Sequence, residues 1–538
     1  MQNDLLFILF LLFGVFMLIM LGQKLRISYP IFLVVAGLGL SFIPGIPHIS
    51  IDPELIFLIF LPPLLYEAAW FTSWAEFWKW RRVISMLAFG LVFVTSTVVA
   101  YASYVMIPGF TLAMGFLLGG IVSPPDAVAA TSVLRNIHVP RRVVAILEGE
   151  SLVNDASSLI VFRFALVAML SGHFVLQEAI MDFFLAAGMG IVVGLVVAQI
   201  MYVVHRYLPT SSSIDVSLTL MTPYFMYLAA ERFHFSGVMA VVTGGLFLSY
   251  RSHEILSSGA TRMQAHGVWS TTTFVLNGLV FILIGLELPV VVEGLVGYSI
   301  SEAIGYGLAI SFVAIMVRML WVYPLAYVPI WFKSRVRADN VNPTWKAPTI
   351  IGWAGMRGVV SLASALSVPL LLNNGEPFPH RNLILFITFI VILVTLVFQG
   401  LSLPWVIRKV NILEIDKMLP EGQQEAGIQL RLKRRALMHL NEKFAAEITE
   451  NELVGLLKGN LESDLDETQQ RLESLECDTL AHEELERYHH VLLDLYAEQR
   501  RELFNLRKEK VFSDEVIRKQ ELQLDLDEAR VSNHSIHN

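Results

Sequence analysis

Thirteen apolar runs divide the first three-quarters of the chain, at about residues 4–22, 28–44, 54–71, 83–107, 111–134, 143–171, 178–206, 213–233, 236–250, 267–288, 301–331, 346–372 and 380–408. Runs of this length and hydrophobicity match the roughly 30 Å hydrocarbon core of a bilayer when helical. In that solvent every backbone N–H and C=O must be bonded internally, so the runs predict an all-α polytopic membrane protein. Composition agrees: 55% of residues are hydrophobic and 16% charged, and mean hydropathy is +0.60. The first run, Leu5 to Leu21, has no basic residue before it and no small-residue cleavage site after it, so it reads as a retained helix.

The loops between the runs alternate in charge. One alternate set carries fifteen Lys and Arg, among them Lys79, Arg81, Arg82, Arg206, Arg251, Lys333 and Lys346; the other carries Arg232 and Arg381. By the positive-inside rule the N-terminus is expected outside and the C-terminal segment in the cytoplasm. That segment differs in kind. From Asn411 to Asn538 there are 17 Lys+Arg and 28 Asp+Glu, a net of −11, against a net of +3 for the rest. Its apolar residues recur at helical spacing, as at Leu465, Leu472, Leu475 and Leu480. An acidic domain of amphipathic helices or a short coiled coil is expected over 411–538, appended to a membrane domain over 1–410.

Ionisable residues inside apolar runs are costly and mark ion or proton paths. The densest group is Glu148-Gly149-Glu150-Ser151-Leu152-Val153-Asn154-Asp155 at the start of the sixth run. On a helix, Ser151 and Asp155 share one face, and Glu150 and Asn154 another about 100° round. The third run contains Pro62-Pro63 followed by Glu67, and the fifth contains Ser123-Pro124-Pro125-Asp126. The two prolines of the first remove two backbone donors and bend its helix, whereas Gly119-Gly120 followed by Ser-Pro-Pro-Asp does not make a continuous helix. Asp126 can cap the half-helix that follows, and the same position suits a cation site. In the twelfth run, Gly352-Trp353-Ala354-Gly355-Met356-Arg357-Gly358 is a second interrupted stretch with a charge inside it. Arg357 needs an acidic partner, for which the sixth run offers Glu148, Glu150 and Asp155. Arg163 and Arg318 are further arginines inside apolar runs, with no partner evident from spacing.

There is no phosphate loop, nucleotide fingerprint or metal cluster. Cys477 is the single cysteine, which excludes an intrachain disulfide. Acids at membrane depth and two broken helices favour a secondary transporter or a channel. A buried carboxylate favours its protonated form, and a neighbouring cation favours the ionised one. Proton and metal ion then compete for one group, which is the minimal chemistry of an exchanger.

In order along the chain, Leu61-Pro-Pro to Glu67, Ser123-x-x-Asp126, Gly149-Glu-Ser-x-x-Asn-Asp155 and Gly355-x-Arg-Gly358 resemble the motifs of the monovalent cation/proton antiporter family 1, which contains the NhaP-type sodium/proton antiporters and the sodium/hydrogen exchangers. The likeness extends over about residues 1–410. It implies thirteen helices with inverted repeats and a crossed, unwound pair in the fifth and twelfth spans. It implies a core of helices at about 83–171 and 301–408 and a dimerisation part at about 1–71 and 178–288. The expected activity is exchange of Na+ or Li+ for H+ in the cell membrane of a homodimer, serving pH and sodium homeostasis, with K+/H+ exchange as the alternative on the same scaffold. A cation channel or a sensor is a more distant alternative. No enzyme activity, cofactor or nucleic-acid partner is expected.

By the same resemblance Asp155 binds cation or proton alternately. Ser151 is a cation ligand, and Asp126 and Glu67 complete the site directly or through water. Glu150 and Arg357 form a buried structural ion pair. Asn154, in place of a second Asp, goes with electroneutral exchange. Pro125 departs from the hydroxyl or small residue found in many relatives before the aspartate of the fifth span. It keeps a carbonyl as a possible ligand and offers no hydroxyl.

Overall fold

The computed structural model describes residues 2–25, 27–43, 53–134, 137, 139–171, 176–256, 258–295, 297–331, 345–372, 375–411, 421–477, 480–509 and 514–535. Arg26, Arg135, Lys333, Arg335 and Arg337 of the basic loops lie outside the described residues. Two compact units are present, Met1–Ile415 and Asp416–Asn538.

The first unit is helical throughout its described spans. It runs α1 (Gln2–Lys24), α2 (Tyr29–Ser41), α3 (Pro53–Phe71), α4 (Trp74–Ser85), a π-helical turn (Met86–Leu91), α5 (Val92–Met106), α6 (Leu112–Val122), α7 (Ala127–Leu134) and α8 (Arg141–Ser171). It continues with α9 (Leu176–Tyr207), α10 (Ser212–Arg232), α11 (Gly237–Tyr250), α12 (Ser252–Ile255), α13 (Gly259–Leu286), α14 (Leu288–Glu293) and α15 (Ile300–Trp331). It ends with α16 (Lys346–Trp353), α17 (Val359–Leu366), α18 (Arg381–Leu393), a second π-helical turn (Val394–Gln399) and α19 (Gly400–Val410). Each expected apolar run falls on one of these helices or on a broken pair. Among the described residues, seven helices are long and apolar enough to cross a membrane, and four shorter apolar ones accompany them.

Both expected interruptions are present. The fifth run is split into α6 and α7 by residues 123–126, and the twelfth into α16 and α17 by residues 354–358. Small residues let backbones meet around the first split. A Cβ on Gly115 or Gly119 of α6 would lie 2.5 Å from a carbonyl oxygen of α5 (Ala100 and Ser96), and one on Gly120 would lie 2.8 Å from the Phe162 nitrogen of α8. So α6 is wedged between α5 and α8 by close backbone contact, the packing mode that membrane helices use where burial of apolar surface supplies no drive.

Two apolar clusters divide the unit. The larger is built mainly from α1, α2, α5–α8 and α13–α19, the smaller mainly from α3, α9–α12 and part of α13. Helix α8 feeds both, with Val143, Ile146 and Phe162 in the larger and Leu152 and Ala156 in the smaller. The helix carrying the densest polar group is therefore held between the two clusters.

The second unit contains α20 (Glu421–Lys443), α21 (Ala445–Glu450), α22 (Glu452–Cys477), α23 (Leu480–Glu509) and α24 (Asp514–Ser535). Helix α20 packs against α22 and α23 against α24. Surface ion pairs such as Arg500–Asp525 at 2.7 Å join the latter two.

Candidate cation and proton site

The two breaks cross and bond to each other. The Asp126 backbone N–H donates to the Met356 carbonyl at 2.7 Å. In the opposite sense the Arg357 Nε–H donates to the Val122 carbonyl at 3.1 Å. The free backbone groups that two interrupted helices leave at depth are thus partly satisfied by each other.

Asp126 sits where two half-helices begin. Its Oδ1 accepts the Val128 N–H at 2.8 Å, and the backbone N–H groups of Ala129 and Val359 also face its carboxylate. These belong to the first turns of α7 and α17, so the positive ends of both helix dipoles meet one carboxylate. Gly358 makes the approach possible. A Cβ there would lie 2.7 Å from Asp126 Cγ and closer still to Oδ2.

Helix α8 supplies the other wall. Ser151 Oγ accepts the Ala127 N–H at 3.1 Å, which makes it the second cap of α7. Asn154, fully buried, donates from Nδ2 to the Pro125 carbonyl at 2.9 Å. Its Oδ1 is buried without a partner among the described residues. Asp155, one turn after Ser151, is 7% exposed. Its side chain accepts no hydrogen bond among the described residues, and it lies within electrostatic reach of Asp126. The two carboxylates therefore differ sharply. Asp126 is held by backbone donors, and Asp155 is not. Glu67 lies half-buried on α3, a helix that packs against α8, α11 and α17.

The expected ion pair of Glu150 with Arg357 is replaced by another. Glu150 is gripped in a fork by Arg318 of α15, with Nη1 to Oε1 at 2.5 Å and Nη2 to Oε2 at 2.8 Å. Both residues are 1% exposed. Arg318 also donates from Nε and Nη2 to the Ile351 carbonyl, at 3.2 and 3.0 Å. It neutralises Glu150 and caps the last turn of α16 together. Gly355 leaves room for it, since a Cβ there would meet the Arg318 Nε at 2.5 Å. Arg357 instead bonds to backbone, to Val122 and to Gly355. Its own N–H donates to Thr395 Oγ1 in the second π-turn at 3.1 Å. The reason for the difference is reach: Arg357 turns back into the crossing it belongs to, and Arg318 enters from α15 with a fork that matches a carboxylate. Arg163, the other arginine without an assigned partner, binds Glu231 of α10 at 2.7 and 2.8 Å.

Two π-turns also reach the site. Ala88 in the first accepts Ser157 Oγ at 2.5 Å, and Thr395 in the second holds Arg357. Turns of this type mark functional sites often, but no sequence pattern announces them.

The transmembrane model of the sodium/hydrogen exchanger family matches residues 8–409. The chain belongs to that family. Among its relatives is a sodium, potassium, lithium and rubidium/H(+) antiporter of Bacillus pumilus, 36% identical over 391 residues that make up 71% of this chain and 58% of that protein. The Bacillus subtilis protein of the same name is 35% identical, and the match spans 57% of its length. The chain thus covers less than two-thirds of these two relatives. An uncharacterized Na(+)/H(+) exchanger of Escherichia coli K12 is 30% identical over 523 residues, 94% of each chain. The fold is that of the sodium proton antiporter MjNhaP1 of Methanocaldococcus jannaschii. That structure superposes with a TM-score of 0.58 at 19% identity, over 76% of this chain and 99% of the other.

Proposed function

We propose that the protein is a secondary active antiporter that exchanges Na+ or Li+ for H+ by alternating access. The observation that carries this reading is Asp155, a buried carboxylate with no hydrogen-bond donor among the described residues, beside a second carboxylate that two helix ends already hold. Such a group lacks a resident counter-charge, so it takes up either a proton or a cation. Asp126 is held beside it by backbone donors from two helix starts. Ser151 Oγ, the second lone pair of the Pro125 carbonyl and the free Asn154 Oδ1 are the neutral oxygens available to replace water around the ion, and Glu67 stands on the adjoining helix. One titrating carboxylate gives one proton for one monovalent cation, so the exchange is electroneutral.

In this reading α4–α8 and α15–α19 form the moving part, and α1–α3 with α9–α13 form the scaffold of a homodimer in the cell membrane. The N-terminus is outside and the acidic domain cytoplasmic. The exchange serves pH and sodium homeostasis. The test is efflux of 22Na+ from proteoliposomes driven by an imposed pH gradient. Efflux that follows the pH gradient and ignores an imposed membrane potential is expected. A pH-independent leak of Na+ would overturn the reading in favour of a channel.

A further inference from the structure

The helix from Trp74 to Met106 has 33 residues, about 50 Å of rise. A bilayer core takes about 30 Å of that. The excess, about 20 Å, corresponds to α4, which has 12 residues. Its sequence, Trp-Ala-Glu-Phe-Trp-Lys-Trp-Arg-Arg-Val-Ile-Ser, differs in character from the apolar α5 that continues it. Trp74 and Trp78 stack at 5.6 Å between ring centroids and are 40% and 53% exposed. Arg81 lies 4.7 Å from the Trp78 ring centroid and donates to the Trp78 carbonyl at 2.7 Å. Lys79 is engaged by Glu76 at 3.8 Å. Neither Arg81 nor Arg82 has an acidic partner among the described residues, and both are exposed. Amphipathic rings beside arginines without an acidic partner match the chemistry of an anionic membrane surface.

A face of α4 adjoining Trp74 and Arg81 packs on the site helix, and Phe77 on it stacks with Trp74 at 6.3 Å between ring centroids. A Cβ on Gly149 would lie 2.5 Å from Ile84 Cδ1 and 3.3 Å from Phe77 Cδ2. Gly149 directly precedes Glu150 and Ser151. The π-turn that follows α4 holds Ser157 through the Ala88 carbonyl. Thus α4 and its turn touch α8 on both sides of Ser151 and Asp155.

We propose that α4 binds anionic phospholipid headgroups through Arg81 and Arg82, and that this binding sets the rate of transport by fixing α8. The rate part rests on the antiporter reading; the binding part does not. The test uses the full chain and an Arg81→Gln/Arg82→Gln variant in vesicles of phosphatidylcholine alone and of phosphatidylcholine with phosphatidylglycerol. Cation-driven proton flux of the wild type is expected to rise several-fold with phosphatidylglycerol, and that of the variant to stay at its phosphatidylcholine level. Because both proteins experience the same surface potential, the difference reports α4. In parallel, phosphatidylglycerol added to detergent-solubilised protein should raise the melting temperature of the wild type and not of the variant. Each arginine should contribute about fivefold to lipid affinity. A wild type indifferent to phosphatidylglycerol in both assays overturns the proposal, as does a variant that retains the full response. A variant that slows equally in pure phosphatidylcholine would assign Arg81 and Arg82 to an acidic protein segment instead, which also overturns it. Absence of cation-coupled flux in every membrane would refute the antiporter reading while leaving the melting result to decide lipid binding.

Discussion

Replacing Arg318 by Met should destabilise the protein more than any other single loss around the crossing. The substitution removes both donors to Glu150 and leaves a carboxylate that is 1% exposed without its counter-charge. Breaking a buried pair from one side costs about 3–5 kcal/mol. The Ile351 carbonyl also loses its two bonds from the guanidinium, a further cost of about 1–3 kcal/mol. Replacing Glu150 by Gln as well removes the stranded charge, so the double variant should recover part of the loss. The Glu150/Arg318 coupling is expected above about 2 kcal/mol. Arg357→Met forfeits bonds to the Val122 and Gly355 carbonyls but leaves Glu150 in its fork, so the Glu150/Arg357 coupling, which is electrostatic without a hydrogen bond, should be smaller than the Glu150/Arg318 coupling. The assay is reversible unfolding of purified protein followed by tryptophan fluorescence for both cycles. Additive losses for Glu150 and Arg318, or a larger coupling to Arg357, would refute the assignment of the pair.

Gly358→Ala places a methyl group against the Asp126 carboxylate; it should cost about 1–3 kcal/mol and abolish flux, whereas Gly305→Ala, which meets nothing within 4 Å, should match wild type in both. Asn154→Asp removes the donor to the Pro125 carbonyl and adds a carboxylate beside Asp155; stability should fall by about 1–3 kcal/mol, and any remaining exchange should become sensitive to membrane potential. Unchanged melting with voltage-insensitive flux would count against both the bond and the charge argument. His380 hydrogen-bonds Tyr298 at 2.6 Å, and burial holds its pKa below the ordinary histidine value against an opposing backbone bond at Gly109. The fold favours neutral His380, so the unfolded chain takes the proton first and stability is lost as pH falls below about 6.5. The melting temperature of His380→Gln should fall less than that of wild type over that window; equal slopes would remove His380 from the account.

Much of this architecture was legible because the bilayer simplifies the code. Length and hydropathy marked the helical runs, and Pro124-Pro125 and the glycines around Arg357 marked the two breaks. The spacing of Ser151 and Asp155 placed them on one face. The partners of the buried arginines were not legible. Arg318 and Glu150 are 168 positions apart, and their pairing depends on how α15 sets against α8 and α16, a tertiary fact with no periodicity. The pairing of Arg357 with Glu150 was implied by the family resemblance alone, yet Arg357 folds back on the Val122 and Gly355 carbonyls. Glu231, which meets Arg163, stands beside Arg232 and looks like an ordinary helix end. The double capping of Asp126 was half legible: a cap for α7 follows from its position, but Val359 of α17 comes from the other side of the crossing.

On the proposed mechanism Asp155 carries cation and proton in turn. Its most direct test is proton flux in proteoliposomes under an imposed pH gradient, with Na+, Li+ and K+ added separately, for wild type and Asp155→Asn. Na+ and Li+ should collapse the gradient in the wild type, and no cation should do so in a folded Asp155→Asn protein. Undiminished exchange in that variant would contradict it.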